Sequence, residues 1–111
     1  MSYNQGDIVL VPFPFSDQSG NKRRPALVIS NNSVNKTQDI LLVQITKNDR
    51  SDEFSVKLDH KDLTVPLQYV SEVRCHKILV TDKGLIVKKI SAVTKSVLKT
   101  VSEKICDIVK V

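Results

Sequence analysis

Lys22-Arg23-Arg24-Pro25 sets three cations in a row before a proline, and the five residues that follow, Ala26-Leu27-Val28-Ile29-Ser30, are almost all apolar. A proline ring clashes with the residue before it and holds that residue in extended backbone, so Arg24 is aimed rather than merely exposed. A guanidinium stays protonated at working pH and offers five donors in a planar fork, which fits a phosphate. Pro25 lacks an N–H and suits the first position of a strand. The run therefore places a fixed positive charge at the mouth of a buried strand, and the chemistry it suits is binding of a phosphate or a nucleic acid. His60 and His76 are the side chains whose ordinary pKa suits proton transfer near neutrality, although each also reads as a surface or strand-end histidine. Cys75 and Cys106 show no Cys-x-x-Cys or Cys-x-x-His pairing, so neither a zinc site nor a redox motif is suggested. Both are expected to be free and buried.

With 111 residues the chain is expected to form one domain, 1–111, burying roughly 65% of its unfolded surface without disulfide or metal staples. No stretch approaches the roughly 20 apolar residues of a membrane span, and the first residues lack a secretory pattern, so a cytoplasmic protein is expected. The formal net charge of +5 is unevenly placed. Residues 1–55 carry six Lys/Arg against six Asp/Glu, and residues 56–111 carry eleven against six. Such a balance favours polyanions without proving one. Aromatic residues make up 5%. Tyr3, Phe13, Phe15, Phe54 and Tyr69 are so few, and so core-like, that they argue against a stacking platform for single strands.

The elements that must position Arg24 follow from periodicity. Asp7 to Phe13 reads as a first strand opened by a turn at Gly6. A loop over Pro14 to Asn21 leads to a buried second strand at Ala26 to Ser30, which Asn31-Asn32-Ser33 ends. Asp39 to Thr46 is a central third strand. After a polar loop from Lys47 to Asp52, alternation from Glu53 to Leu58 predicts a half-buried fourth strand, followed by a turn at His60-Lys61-Asp62. A fifth strand is expected over roughly Gln68 to His76, a turn at Thr81 to Gly84, and a sixth strand over Leu85 to Ile90. Val97, Leu98, Val101, Ile105, Ile108 and Val109 form one helical stripe, with Lys95, Lys99 and Lys104 on a solvated face. Thr94 suits its N-cap, and Val93 with Leu98 has the spacing of a hydrophobic staple. Short strands followed by one amphipathic helix imply a mainly β, strongly curved antiparallel sheet or partly open barrel closed by that helix.

These residues resemble a known family. Gly6-Asp7-Ile8-Val9 opening a strand, a loop with Gly20 leading into Arg24-Pro25-Ala26-Leu27-Val28-Ile29-Ser30, and then Val43-Gln44-Ile45-Thr46 look like the MazF/PemK toxins of bacterial toxin–antitoxin systems. Ser71-Glu72-Val73-Arg74-Cys75-His76-Lys77, Asp82-Lys83 and the terminal helix are similar to the family's second half. Pro12 and Pro14 bracketing Phe13 depart from the opening that many members carry.

The resemblance implies an SH3-like barrel acting as a homodimer, paired with a cognate antitoxin and cutting single-stranded mRNA without metal or other cofactor. It assigns catalysis to Arg24 and Thr46. The substrate's 2′-hydroxyl would attack its own phosphate, leaving a 2′,3′-cyclic phosphate and a 5′-hydroxyl. Arg24 would stabilise charge on the phosphate oxygens and Thr46 would donate a hydrogen bond. Neither supplies a general base, since a guanidinium has a pKa above ~12. Without the resemblance, Arg24 reads equally as the partner of Asp7 or Asp17, and Thr46 as a β-branched strand residue. Asp7 itself reads as structural, fixing the turn or holding an arginine. Lys22 and Arg23 precede Arg24, and Lys47 and Arg50 follow Thr46, so the four would flank one site and position RNA. Arg74 and Lys77 join them as expected RNA contacts, an internal ion pair being the other reading of Arg74. An antitoxin's acidic tail would compete for that groove. The rival functions are a non-catalytic toxin of the same fold that poisons gyrase, whose terminal Trp-bearing tail this Trp-free chain lacks, and a silent nucleic-acid- or protein-binding barrel.

Overall fold

The computed structural model describes residues 2–12, 22–47 and 50–111. Six strands form one antiparallel sheet: β1 (Asp7–Pro12), β2 (Arg23–Val28), β3 (Asp39–Thr46), β4 (Ser55–Leu58), β5 (Ser71–Asp82) and β6 (Lys88–Ala92), in the order β4-β5-β3-β2-β1-β6. Two helices accompany them, a single turn α1 (Asn32–Asn35) and the terminal α2 (Lys95–Val109). Leu63 bridges Val93, and the Val65 and Ser91 groups exchange hydrogen bonds, so the chain after β4 runs beside the end of β6 and curls the sheet into a half-barrel. The expected curved sheet with a closing helix is the observed fold. The expected end of β1 at Phe13 and the Pro14 to Asn21 loop lie outside the described residues, as do Phe15 and Asp17.

Side chains of extended chain alternate between faces, and here the alternation makes two cores. Ile8, Leu27, Val43, Ile45 and Val73 point to the face that α2 covers with Val97 and Val101. Val9, Val11, Ala26, Val28, Ile40 and Leu42 point to the other, against Tyr3 and Ile86. Because both faces are filled, β1, β2 and β3 read as near-continuous apolar runs. Thr94 caps α2 by accepting from the Val97 N–H, as its type predicts. Ile108 and Val109, expected on the buried stripe, are exposed in the last turn of α2.

Boundaries moved where backbone irregularity intervened. β5 extends to Asp82, well past the expected His76. Its register against β3 jumps between Val43↔Ile78 and Gln44↔Arg74, so Cys75, His76 and Lys77 form a bulge that breaks the two-residue period. Thr81 and Asp82 therefore end the strand instead of forming a turn, and Lys83–Leu85 is a single 3₁₀ turn that delays β6 to Lys88. His60–Asp62 is likewise a 3₁₀ turn. The expected stop at Asn31 to Ser33 is α1, whose first N–H groups from Ser33 and Val34 bond the Asn31 side chain. Cys75 is buried within the bulge, whereas Cys106 is exposed on α2, contrary to expectation for that residue.

Two buried charges tie the connections down. Asp7 accepts from the Asn4 N–H at 2.9 Å and meets Lys89 at 3.1 Å, so it fixes the opening turn and holds a lysine rather than an arginine. Of the two readings of Arg74, RNA contact or internal ion pair, the structure shows the ion pair: its fork is turned inward onto Asp52, with contacts of 2.9 and 3.0 Å, and onto Glu72 at 3.5 Å. Glu72 also accepts the Arg50 N–H at 2.9 Å. Asp52 and Arg50 lie on the β3–β4 connection, so this cluster clamps the chain that leaves Thr46. Lys104 of α2, expected to be solvated, adds a contact to the Glu53 carbonyl at 3.1 Å.

Arg74's hydrogen bond holds the Asp52 carboxyl at about 2, below its ordinary 3.8. Above pH 3.8 Asp52 is ionised in folded and unfolded chain alike, and the clamp contributes in full. As pH falls from 3.8 toward about 2 the unfolded chain takes the proton first, so this contribution is lost in that window. Thermal melts across that window should fall more steeply for the native chain than for Asp52→Asn; parallel curves would show that the clamp carries no stability. Gly6 supplies a second test. Its φ of +97° is a conformation that L side chains avoid, although an added Cβ would meet nothing nearer than Leu98 Cδ2 at 3.5 Å. Gly6→Ala should therefore cost about 1–2 kcal/mol of backbone strain, read as a melting point lower by roughly 4–8 °C per kcal/mol.

Candidate nucleic-acid interface

The site is built where one ladder ends. In β2 the odd-numbered residues direct their N–H groups toward β3, as Ile29 does to the Leu41 carbonyl at 3.0 Å. Pro25 belongs to that series and has no N–H to give. The β2–β3 pairing accordingly stops at Ala26↔Gln44, although Pro25 still pairs Leu10 of β1 on its other side. It is thus the third residue of β2, not its first as the sequence suggested, but it is the point at which β2 parts from β3. Extended by two residues, the same register sets Arg24 across from Thr46.

The space so opened is a groove of about 330 Å³, within the range of small-ligand sites. Arg24 and Thr46, both half-buried, line it together with Lys22, Arg23 and Lys47. Leu10, Pro25, Ile45, Leu67 and Ile90 add apolar lining, and Gln68, Tyr69 and Ser71 complete it. Among the described residues, four cations and no carboxylate line this groove. The described acids nearest in sequence are engaged elsewhere, Asp7 by Lys89 and the Asp52–Glu72 pair by Arg74.

A second cavity of about 480 Å³ lies on the other side of Lys47, lined by Ser51, Asp52, Ser55, Lys57, Val70 and Glu72, and it shares Lys47 and Ser71 with the first. The two make one track over the end of β3.

Of the residues expected at the site, then, Lys22, Arg23, Arg24, Thr46 and Lys47 are brought together. Arg50 lies on the clamped connection, with its backbone N–H on Glu72, and lines neither cavity. Arg74 is buried in its ion pair and Lys77 is exposed on the bulge, away from both cavities. His76 stacks on Phe54 with ring centroids 4.6 Å apart. Partial burial first, and then the Arg74 and Lys77 charges, lower its pKa from the ordinary 6.5. Neither it nor His60 lines the groove. Cys75 is no nucleophile, since burial pushes its thiol up to about 11. Among the described residues no three of His, Cys, Asp and Glu gather as a metal site.

Sequence reasoning missed Tyr69. It is 52% exposed, it lines the groove, and the Lys47 ammonium sits 4.9 Å from its ring centre. The expected fifth strand from Gln68 enclosed it, whereas β5 begins at Ser71 and Tyr69 lies just before it.

Solved structures resemble this fold closely. MazF from Deinococcus radiodurans superposes with a TM-score of 0.80 at 21% identity, covering 100% of this chain and 99% of that one. An endoribonuclease in complex with its cognate antitoxin, from a mycobacterial species, gives 0.79 at 20% identity over 96% and 93%. The Mycobacterium tuberculosis toxin MazF-mt6 gives 0.74 at 19% over 91% and 93%. No curated protein matches the chain in sequence. No helix among the described residues is long and apolar enough to cross a membrane. The family model of PemK-like, MazF-like toxins of type II toxin–antitoxin systems matches residues 4–109, nearly the whole length, and the chain belongs to that family.

Proposed function

We propose that the chain is a toxin that cleaves single-stranded mRNA without a metal ion, with Arg24 and Thr46 as its catalytic residues. The observation that carries the reading is the groove at the Pro25 break, where a guanidinium and a hydroxyl stand together among cations. The substrate's 2′-oxygen attacks phosphorus while the bond to the 5′-oxygen breaks. Arg24 stabilises the charge that builds on the phosphate oxygens, and Thr46 donates to one of them. Lys22, Arg23 and Lys47 hold the flanking phosphates. With no histidine or carboxylate among the described residues that line the groove, the 2′-hydroxyl proton leaves to water, and the 5′-oxygen is reprotonated from water or a neighbouring ammonium.

The same reading makes the protein a cytoplasmic homodimer held in check by an antitoxin. Ile78, Val80, Leu85 and Val87 are exposed along and beside the half of β5 that pairs with β3 alone, and they offer apolar surface to a second copy. An acidic antitoxin segment fits the cation-lined groove by charge. The similar structures named endoribonuclease, one of them solved with its cognate antitoxin, support RNA cleavage and an antitoxin partner. A gyrase-poisoning or silent barrel has no observation of its own here.

Purified protein should cut single-stranded RNA in EDTA, leaving cyclic phosphate and 5′-hydroxyl ends. Removing one such stabilising group costs about 10²–10³-fold in kcat, so Thr46→Val should lose that much and Arg24→Ala at least as much, with melting points unchanged within a few degrees. Cutting that needs Mg²⁺, or that persists in Arg24→Ala, would refute the mechanism. Mapping cut ends across a transcriptome reads the recognised bases in the same experiment.

A further inference from the structure

An exposed tyrosine beside a phosphate-binding groove, its face held under a lysine, has the two components needed to grip one nucleotide. We infer that Tyr69 is a base-stacking residue: the ring receives the nucleobase next to the cleaved phosphate, and Lys47 gives up the ring for that phosphate. The inference rests on the RNA-cleavage reading and adds to it a residue outside the Arg24–Thr46 pair.

Several observations converge on this side chain. Tyr69 is exposed, whereas Tyr3 is buried in the core and Phe54 is taken by His76. Its backbone is fixed, because the Ser71 hydroxyl donates to its carbonyl at 2.8 Å. Lys47 is the residue after Thr46, it lines both cavities, and its ammonium lies over the Tyr69 ring at 4.9 Å. An exposed cation–π contact is weak, whereas a phosphate offers that ammonium a charge-assisted hydrogen bond and a base offers the ring a full π face. RNA therefore gives each partner something better than the other. Among the described residues, Tyr69 is the exposed ring on this groove, and with the row of cations it gives a chain of few aromatics a grip on a single strand. Stacking accepts any base, so Tyr69 adds affinity at one nucleotide without selecting which base is there.

The test uses an RNA oligonucleotide carrying a cut site mapped for the native protein. Losing one stacked base weakens binding by roughly 5- to 150-fold, so Tyr69→Ala should raise KM by that factor with kcat changed far less, and Tyr69→Phe should recover most of the loss. Replacing one base beside the cut by an abasic nucleotide should weaken the native protein equally and cost Tyr69→Ala almost nothing more. The native chain has no tryptophan, so Tyr69→Trp introduces a single fluorophore. Its fluorescence should be quenched by the same oligonucleotide made uncuttable with a 2′-deoxy sugar, and unquenched by the abasic form. If the native protein cuts while Tyr69→Ala keeps its KM, if the two changes add independently, or if the Tyr69→Trp fluorescence is not quenched, the stacking role is wrong and the cleavage reading stands. A native protein that cuts no RNA removes the cleavage reading itself, and the stacking role with it.

Discussion

A single missing hydrogen bond organises this molecule. β2 and β3 are held together through Leu27, Ile29 and their partners until the series reaches Pro25, which has no N–H. Ladder hydrogen bonds are nearly obligatory for buried backbone, so the position where β2 has no N–H to give is where the β2–β3 ladder loses a bond and the two central strands can begin to part. Arg24 and Thr46 stand one residue beyond that point. Proline thus acts twice, through its ring on the backbone of Arg24 and through its nitrogen on the ladder beside it, and the two effects aim a cation into an opening that the same residue creates.

The field inside that opening depends on where the acids go. The net charge of +5 describes a mildly basic protein, yet among the described residues the groove is lined by four cations and no carboxylate. The difference arises because Asp7 is held by Lys89, while Asp52 and Glu72 are drawn onto Arg74. An arginine–carboxylate cluster is weak evidence for stability, since for the buried Arg74 and Glu72 desolvation offsets much of the attraction and the Asp52 carboxylate is exposed to solvent. Its value here is geometric: it fixes the β3–β4 connection, and it offsets with one guanidinium the two carboxylates that line the second cavity.

Much of the fold was legible because β1, β2 and β3 carry strong apolar periodicity, and β3 was bounded correctly at Asp39 and Thr46 by turn residues on each side. The later elements blurred where the period breaks. The bulge at Cys75 to Lys77 shifts β5 by residues that no pattern marks, and the 3₁₀ turn at Lys83 to Leu85 mimics the start of a strand. At the site, the pairing of Arg24 with Thr46 came from family resemblance, since a threonine at a strand end carries no chemical signature of its own. The fate of Arg74 was set by Asp52, about twenty residues away in sequence and adjacent only across β4 and β5. Tyr69 was misjudged because composition counts aromatic residues and says nothing of which face they present.

A catalyst with this groove has an uneven set of tools. General acid–base catalysis by a placed side chain contributes about 10²–10⁴-fold, and none of the described residues lining the groove is a histidine or carboxylate that could supply it. The remaining tools are charge stabilisation and positioning. On the proposed mechanism charge stabilisation falls to Arg24 and Thr46, so further rate must come from holding the 2′-oxygen, phosphorus and the 5′-oxygen in line, which takes contacts on both sides of the cleaved phosphate. Binding energy from groups remote from the reacting atoms can be spent on that alignment. The second cavity beyond Lys47 lengthens the track in the direction that such binding needs. Where none of the described lining residues is a base, alignment of the strand carries more of the rate, and the cations that hold phosphates on either side of the cut contribute to it although they touch no reacting atom.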